Sequence, residues 1–217
     1  MRAGGARRRL ADARGRRGDP RGDRAGRPAG VGGSDEPGSR RPSTPRCPAR
    51  SLRGTSERMR FVVQRHRARR LHYDLRLEMN GVLVSWAVPK GPTLDPGARV
   101  LAVHVEDHDL DHYDFEGVIP GARYGAGDVI VWDWGTWAPA RTDDPVRAVA
   151  DGELHFDLHG EKLGGRFVLI RRDTDQRGRG QWLLIHKNDA HAERGWNPEN
   201  YPRSVKSGLT NDELSRP

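Results

Sequence analysis

The chain has 217 residues, a formal charge of +8 and one cysteine, Cys47. A lone cysteine permits no disulfide within the chain and no cysteine-based metal centre, which fits a reducing cytoplasm. No apolar run approaches the length of a membrane span, and the basic opening MRAGGARRRL lacks the apolar stretch of an export signal, so the expectation is a cytoplasmic protein away from membranes.

Residues 1–60 hold 17 arginines against 6 acidic residues, a balance of +11, with few aliphatic or aromatic side chains. Such a stretch buries too little apolar surface to offset its ordering entropy, so an Arg/Gly/Pro-rich disordered arm is expected. Of the chain's 38 basic and 30 acidic residues, 21 and 24 remain beyond it, a balance of −3. The basic character therefore sits in the arm. It suits a polyanion, foremost nucleic acid, attracted by counterion release, the plain alternative being a solubilising tail. Residues 61–190 read as the folded domain and 191–217 as a polar tail packed on it or trailing from it.

From Phe61 onward short β signals alternate with Gly, Pro and Asp turns. Residues 71–79 alternate strictly, with Leu71, Tyr73, Leu75, Leu77 and Met79 on one parity and His72, Asp74, Arg76 and Glu78 on the other, which predicts a half-buried strand. Asn80-Gly81 supplies a type I′ turn, and 82–88 returns as the partner strand. Arg99 to Glu106 alternates again, with Leu101, Val103 and Val105 expected inside and His104, Glu106 and His108 on the other face. The following EDHDLDHYDFEGVIPGARYGAGD reads as a long functional loop. Further strands are predicted at 129–134, closed by Gly135, and at 153–158, 166–171 and 181–186, with one short helix at 144–150. About eight short strands imply an all-β fold, a closed or nearly closed β-barrel.

His66, His72 and Asp74 form a 2-His-1-carboxylate set, which suits a divalent first-row ion and leaves coordination positions open for water and substrate. Arg76, two residues beyond Asp74 on the same face, can take a phosphoryl oxygen through its planar fork. His108 is the candidate for a further imidazole, acting as an acid toward a leaving oxygen or stabilising charge on phosphorus oxygens. The plain alternative is a solvated strand face, but H-x5-H-x-D-x-R followed by EDH favours a metal site. Gly121, Gly125 and Gly127 match neither phosphate-loop pattern and read as turn glycines. Trp132, Trp134 and Trp137 at strand spacing read as packing residues. His155, His159, His186 and His191 have no carboxylate at ligand spacing and read as structural. Lys90 lacks the K-x-D-G context of a nucleotidyl-transferring lysine.

The stretches QRHRARRLHYDLRLEMNGVLVSWAVPKGPTLDP, LAVHVEDHDLDHYDFEGVIPGARYGAGDVIVWDWGTW and GEKLGGRFVLIR resemble the phosphoesterase domain of bacterial DNA ligase D, with a fainter echo in PRSVKSGLTNDEL. The resemblance implies a β-barrel hydrolase that uses manganese to remove a 3′-terminal ribonucleoside and then the 3′-phosphate, leaving a hydroxyl in double-strand break repair by non-homologous end joining. It implies His66, His72 and Asp74 as metal ligands, Arg76 and His108 as phosphate contacts, and Gln64, Lys90 and Glu106 as supporting catalytic positions. The implied partners are DNA or DNA/RNA primer-template 3′ ends, with a separate repair polymerase, ligase and Ku, since neither polymerase nor ligase motifs occur in this chain. The chain departs from the family pattern in three places. Val100 stands where an arginine is usual, with Arg99 beside it as a further candidate phosphate contact. The family tyrosine falls at His112 or Tyr113, so Tyr113 is another candidate phosphate contact, and an Arg-Asp pair with a glutamate is not found in the arm, where SDEP (34–37) is a faint echo. These departures leave an end-binding module of the same fold, without turnover, as the alternative. A metal-dependent oxygenase built on a similar triad is disfavoured by Arg76 and the basic arm.

Overall fold

The alternation of residues 59–88 builds the first three strands, β1 (Met59–Arg67), β2 (Leu71–Met79) and β3 (Val82–Val88), seen in a computed structural model that describes residues 59–121 and 125–216. Residues 1–58 of the expected disordered arm, with Cys47 and SDEP, lie outside the described residues, whereas Met59 and Arg60, assigned to the arm by composition, begin β1. The β2–β3 hairpin has the anticipated bounds, with Asn80 and Gly81 at φ 48° and 82°, as a type I′ turn demands. Six more strands follow: β4 (Val100–His104), β5 (Gly117–Ile119), β6 (Gly127–Ala140), β7 (Glu153–Gly160), β8 (Gly164–Thr174) and β9 (Gly180–His186). Eight of them close an antiparallel barrel in the order β1-β2-β3-β4-β9-β8-β7-β6, with β6 pairing back onto β1, and β5 adds to β6 outside the ring. Closure satisfies the edges that an open sheet would expose. Among the described residues no helix is long and apolar enough to cross a membrane.

The interior is filled by Phe61, Leu75, Trp86, Trp132, Trp137, Phe156, Phe167 and Trp182, each at most 1% exposed. A lumen packed with aromatic rings leaves no room for a ligand, so any site must lie on the wall or at its rims. Trp132 and Trp137 are packing residues, as their spacing suggested.

Three expectations need correction. The β4 parity is reversed: Val100 and Ala102 join the core while Leu101 is 42% exposed. Pairing of His104 with Trp86 fixes that register, and its ring packs against Trp86 and Trp182 at centroid distances of 5.1 and 6.2 Å. Secondly, Gly135 does not close a strand. It lies inside β6 where the pairing passes from β1 to β7, and a Cβ there would meet the His159 carbonyl oxygen at 2.1 Å, so only glycine permits the approach. Thirdly, His155 does have a carboxylate partner, Glu153, 2.6 Å from its Nε2.

The predicted helix is present as α1 (Pro145–Asp151), capped by Asp144. The polar tail is bound more closely than its composition suggests. Trp196, Ser204 and Asn211 are buried, and Asn211, the first residue of α2 (Asn211–Leu214), donates to the Arg65 and Asp128 carbonyls. Polar groups bury there because each finds a backbone partner.

Asp133 shows the same rule inside the barrel. A register shift in the β1–β6 ladder sets Val63 opposite Asp133 but Gln64 opposite Val131, so the extra residue Trp132 also joins the core. Asp133 is fully buried and accepts backbone N–H bonds from Glu161 (2.9 Å), Lys162 (3.1 Å) and Leu163 (2.8 Å), while burial pushes its carboxyl up to about 6. Asp133→Ala would orphan three donors, with an expected loss of about 3 kcal/mol in urea unfolding. A loss below about 0.5 kcal/mol would show that water replaces the carboxylate.

Candidate metal centre and phosphate cleft

Register places the candidate ligands together. His66 pairs with His72, and Gln64 with Asp74, across β1–β2, so all four project from the outer face of the barrel wall. The row through Asp74 continues over Ala87 on β3 and Val103 on β4 to Gln181 on β9. The 105–121 segment lies along this face. Leu83 and His108 exchange backbone hydrogen bonds of 2.8 and 3.0 Å, and Val105 donates to the Ser85 carbonyl. Because His104 pairs with Trp86, an unbroken register would set residue 107 opposite Leu83; one extra residue brings His108 there instead. Both rings line the cleft, but His104 packs on the core rings Trp86 and Trp182 while His108 lies beside Arg76.

The ligand atoms of His66, His72 and Asp74 lie within 4.8 Å of one another. Asp74 Oδ2 is 3.9 Å from His66 Nδ1 and its Oδ1 is 3.7 Å from His72 Nε2, too far for hydrogen bonds. The Arg70 carbonyl lies 3.0 Å from His72 Nδ1, which places the proton on Nδ1 and leaves Nε2 as a lone pair toward Asp74. His66 Nε2 is buried with no partner among the described residues. Burial, then His72 and Arg76, holds the His66 imidazole below its ordinary value and so neutral, as a ligand must be. A fixed tautomer, an orphaned ring nitrogen and one carboxylate fit a divalent first-row ion.

Arg76 is only 6% exposed and is braced on three sides: Nε donates to Gln64 Oε1 (2.9 Å), Nη1 to Ser85 Oγ (2.9 Å) and Nη2 to Asp74 Oδ2 (3.3 Å). Burial lowers its guanidinium from the usual value, with Asp74 opposing, but arginine stays charged. One N–H on each terminal nitrogen remains for a ligand. Gln64 in turn donates to the carbonyls of His112 (3.0 Å) and Phe115 (2.9 Å), tying the covering loop to the phosphate fork.

His66, His72, Asp74, Arg76 and Gln64 line one cleft of about 1300 Å³, together with Glu106, His108, His112, Arg69, Arg70 and Arg179, while Ser85 braces Arg76 from beneath. His112 packs edge-on against His108 at 5.1 Å. The structure does not bring Lys90, Arg99 or Tyr113 to this cleft. Lys90 and Arg99 are exposed, Arg99 four residues from Val103, the β4 position level with Asp74, or about 13 Å of strand. Tyr113 stacks on Trp134 at 5.9 Å beneath the Arg60 guanidinium. Sequence reasoning missed Ser85 and Phe115, and left His112 out of the site set.

His66, His104 and His108 are all held below the ordinary histidine value, burial being the first cause in each. The unfolded chain takes up these protons near pH 6.5, so their stabilisation is complete above that value and is lost as the pH falls through the folded midpoints. Asp133, raised to about 6, acts in the opposite sense, its contribution being lost as the pH rises through that value. An Asp133→Asn chain lacks the opposing group, so after chelator treatment its urea midpoint should be lower at pH 5.5 than at pH 7.5; an equal or higher midpoint would contradict neutral histidines.

A family model described as "DNA Ligase D 3'-phosphoesterase domain" matches residues 64–171. The "Multifunctional non-homologous end joining protein LigD" of Pseudomonas aeruginosa is 58% identical over 135 residues, covering 62% of this chain and 16% of that protein. The protein of the same name from Mycolicibacterium smegmatis is 45% identical over 134 residues, covering 59% and 17%. The "Multifunctional non-homologous end joining DNA repair protein LigD" of Mycobacterium tuberculosis is 49% identical over 116 residues, covering 54% and 15%. The chain thus spans about a sixth of the length of these relatives.

Proposed function

Since the domain carried by residues 64–171 belongs to the DNA ligase D 3′-phosphoesterase family, we propose that this chain is a metal-dependent 3′-end-processing hydrolase. It removes a 3′-terminal ribonucleoside and a 3′-phosphate from DNA or DNA/RNA primer-template ends, leaving a hydroxyl for end joining. The observation that carries this reading is the convergence of His66, His72 and Asp74 with the braced Arg76 in one cleft. The partners are a repair polymerase, a ligase and Ku, and the place of action is the bacterial cytoplasm, on nucleoid DNA.

His66, His72 and Asp74 would hold the ion, manganese by the resemblance. A divalent ion supplies charge against the phosphate oxygens and lowers the pKa of a water. The chain's own residues do the rest. Arg76 presents its two remaining N–H groups to a phosphoryl oxygen, its plane fixed by Gln64, Ser85 and Asp74. His108 is neutral in the free chain because burial, Arg76 and His112 disfavour its charge. An arriving phosphate offsets the Arg76 charge and favours the protonated ring, which can then donate to the leaving oxygen or to a phosphoryl oxygen. Glu106 lines the same cleft and can hold a water or a ribose hydroxyl.

The test is a labelled primer-template ending in one ribonucleotide, and a second ending in 3′-phosphate, each incubated with protein and manganese and resolved on a gel. Shortening of the first and phosphate release from the second are expected. If both ends stay intact, the enzyme reading fails and the end-binding module replaces it.

A further inference from the structure

The cleft has two kinds of border. Arg69 and Arg70 in the β1–β2 turn and Arg179, paired with Asp175 in the β8–β9 hairpin, supply positive charge, whereas Phe115, held beside Gln64, supplies an apolar face. Phe115 is 38% exposed and its neighbour Val118 is 54% exposed. An exposed phenyl ring in a cleft of imidazoles, carboxylates and guanidinia contributes little to the core. It is nevertheless held firmly. Its carbonyl accepts from Gln64 Nε2 at 2.9 Å, and the next residue, Glu116, accepts through Oε2 from Val131 N (2.9 Å) and Ser204 Oγ (2.6 Å), and through Oε1 from Ser207 Oγ. The ring edge reaches over Gly117, where a Cβ would stand 3.6 Å from its Cζ. The amide that fixes the Phe115 backbone also fixes Arg76, so ring and phosphate fork are set relative to each other.

A 3′-terminal nucleoside beyond the scissile phosphodiester brings a base and a sugar but no further phosphate, so its subsite needs a π-face and no cation. The retained strand brings one phosphate per nucleotide and needs cations. The described lining divides along these lines. We propose that Phe115 stacks the base of the departing 3′-terminal nucleoside, while the retained strand runs along Arg69, Arg70 and Arg179. This rests on the phosphoesterase reading above, and makes Phe115 a specificity residue for the diester step alone. Any base is accepted, because every base has a π-face.

The test uses Phe115→Ala and Phe115→Trp on two primers that differ only in ending with a ribonucleoside or with a 3′-phosphate. Phe115→Ala should raise KM on the ribonucleoside end by about 5- to 100-fold, with kcat little changed, and Phe115→Trp should restore it. Neither substitution should affect the 3′-phosphate end, which has no terminal base. Equal losses on both ends would mean that Phe115 acts only through Gln64 and the loop, and an unchanged KM would remove the contact; either result overturns the proposal. Binding by fluorescence anisotropy reads the same contact without turnover, so it stands apart from failure of the hydrolase reading. Wild type should bind a base-bearing end more tightly than an abasic one, and Phe115→Ala should not distinguish them. Retained discrimination in Phe115→Ala overturns the proposal.

Discussion

An Asp74→Ala chain is expected to lose measurable binding of a divalent ion and to turn over 3′ ends about 1000-fold more slowly, a cost of the size seen when one transition-state electrostatic contact is removed. Asp74 is the only carboxylate in the ligand set, lying 3.9 and 3.7 Å from the two imidazole nitrogens and 3.3 Å from Arg76 Nη2. Its removal leaves two imidazoles beside a buried guanidinium with no opposing charge, which repels a cation. Losing a ligand should cost more than losing an outer-shell partner, which is about 10- to 100-fold in affinity. Asp74→Asn separates charge from shape, since the amide can still accept from Arg76. Calorimetric titration with manganese, alongside the primer assay, reads both effects. Retained affinity in both variants would remove Asp74 from the ligand list, and retained affinity in a His72→Ala chain would do the same for His72.

How far the sequence reached follows from where register is local. The Asn-Gly turn fixes every pair of the β2–β3 hairpin, so Ser85 opposite Arg76 was available by counting back from residues 79 and 82. It was missed because a serine carries no motif. The β4 parity could not be had this way, since Leu101, Val103 and Val105 alternate as well as Val100, Ala102 and His104 do. Pairing with Trp86 and with β9 decides between them, and β9 is some eighty residues distant in sequence. The one-residue irregularity that separates His108 from His104 is likewise tertiary. The choice between His112 and Tyr113 turns on the short 3-10 turn at Leu110–His112, which leaves His112 in the cleft and sends Tyr113 to Trp134. The tail looked loose because it is polar, yet Asn211, Ser204 and Lys206 each find partners in strands or loops distant in sequence.

Arg76→Lys is expected to preserve the fold and ion binding yet slow both chemical steps by about 100- to 1000-fold, because a lysine delivers charge without the planar fork. Three of the five guanidinium N–H groups are used within the protein, and this bracing by Gln64, Ser85 and Asp74 holds the other two in a fixed plane. An ammonium on a flexible stem could satisfy one or two of those acceptors, but it would not present a paired set of donors to a phosphate at the same time. The loss should fall on kcat, since the fork matters most where charge builds on the phosphoryl oxygens. Gln64→Ala provides the comparison. It leaves the guanidinium in place but frees its Nε and releases the loop held at His112 and Phe115, so a smaller fall in kcat with a rise in KM is expected. If Arg76→Lys retained wild-type kcat on both ends while binding the ion normally, the phosphate would have to be held elsewhere in the cleft, and Arg69, Arg70 and Arg179 would become the groups to test.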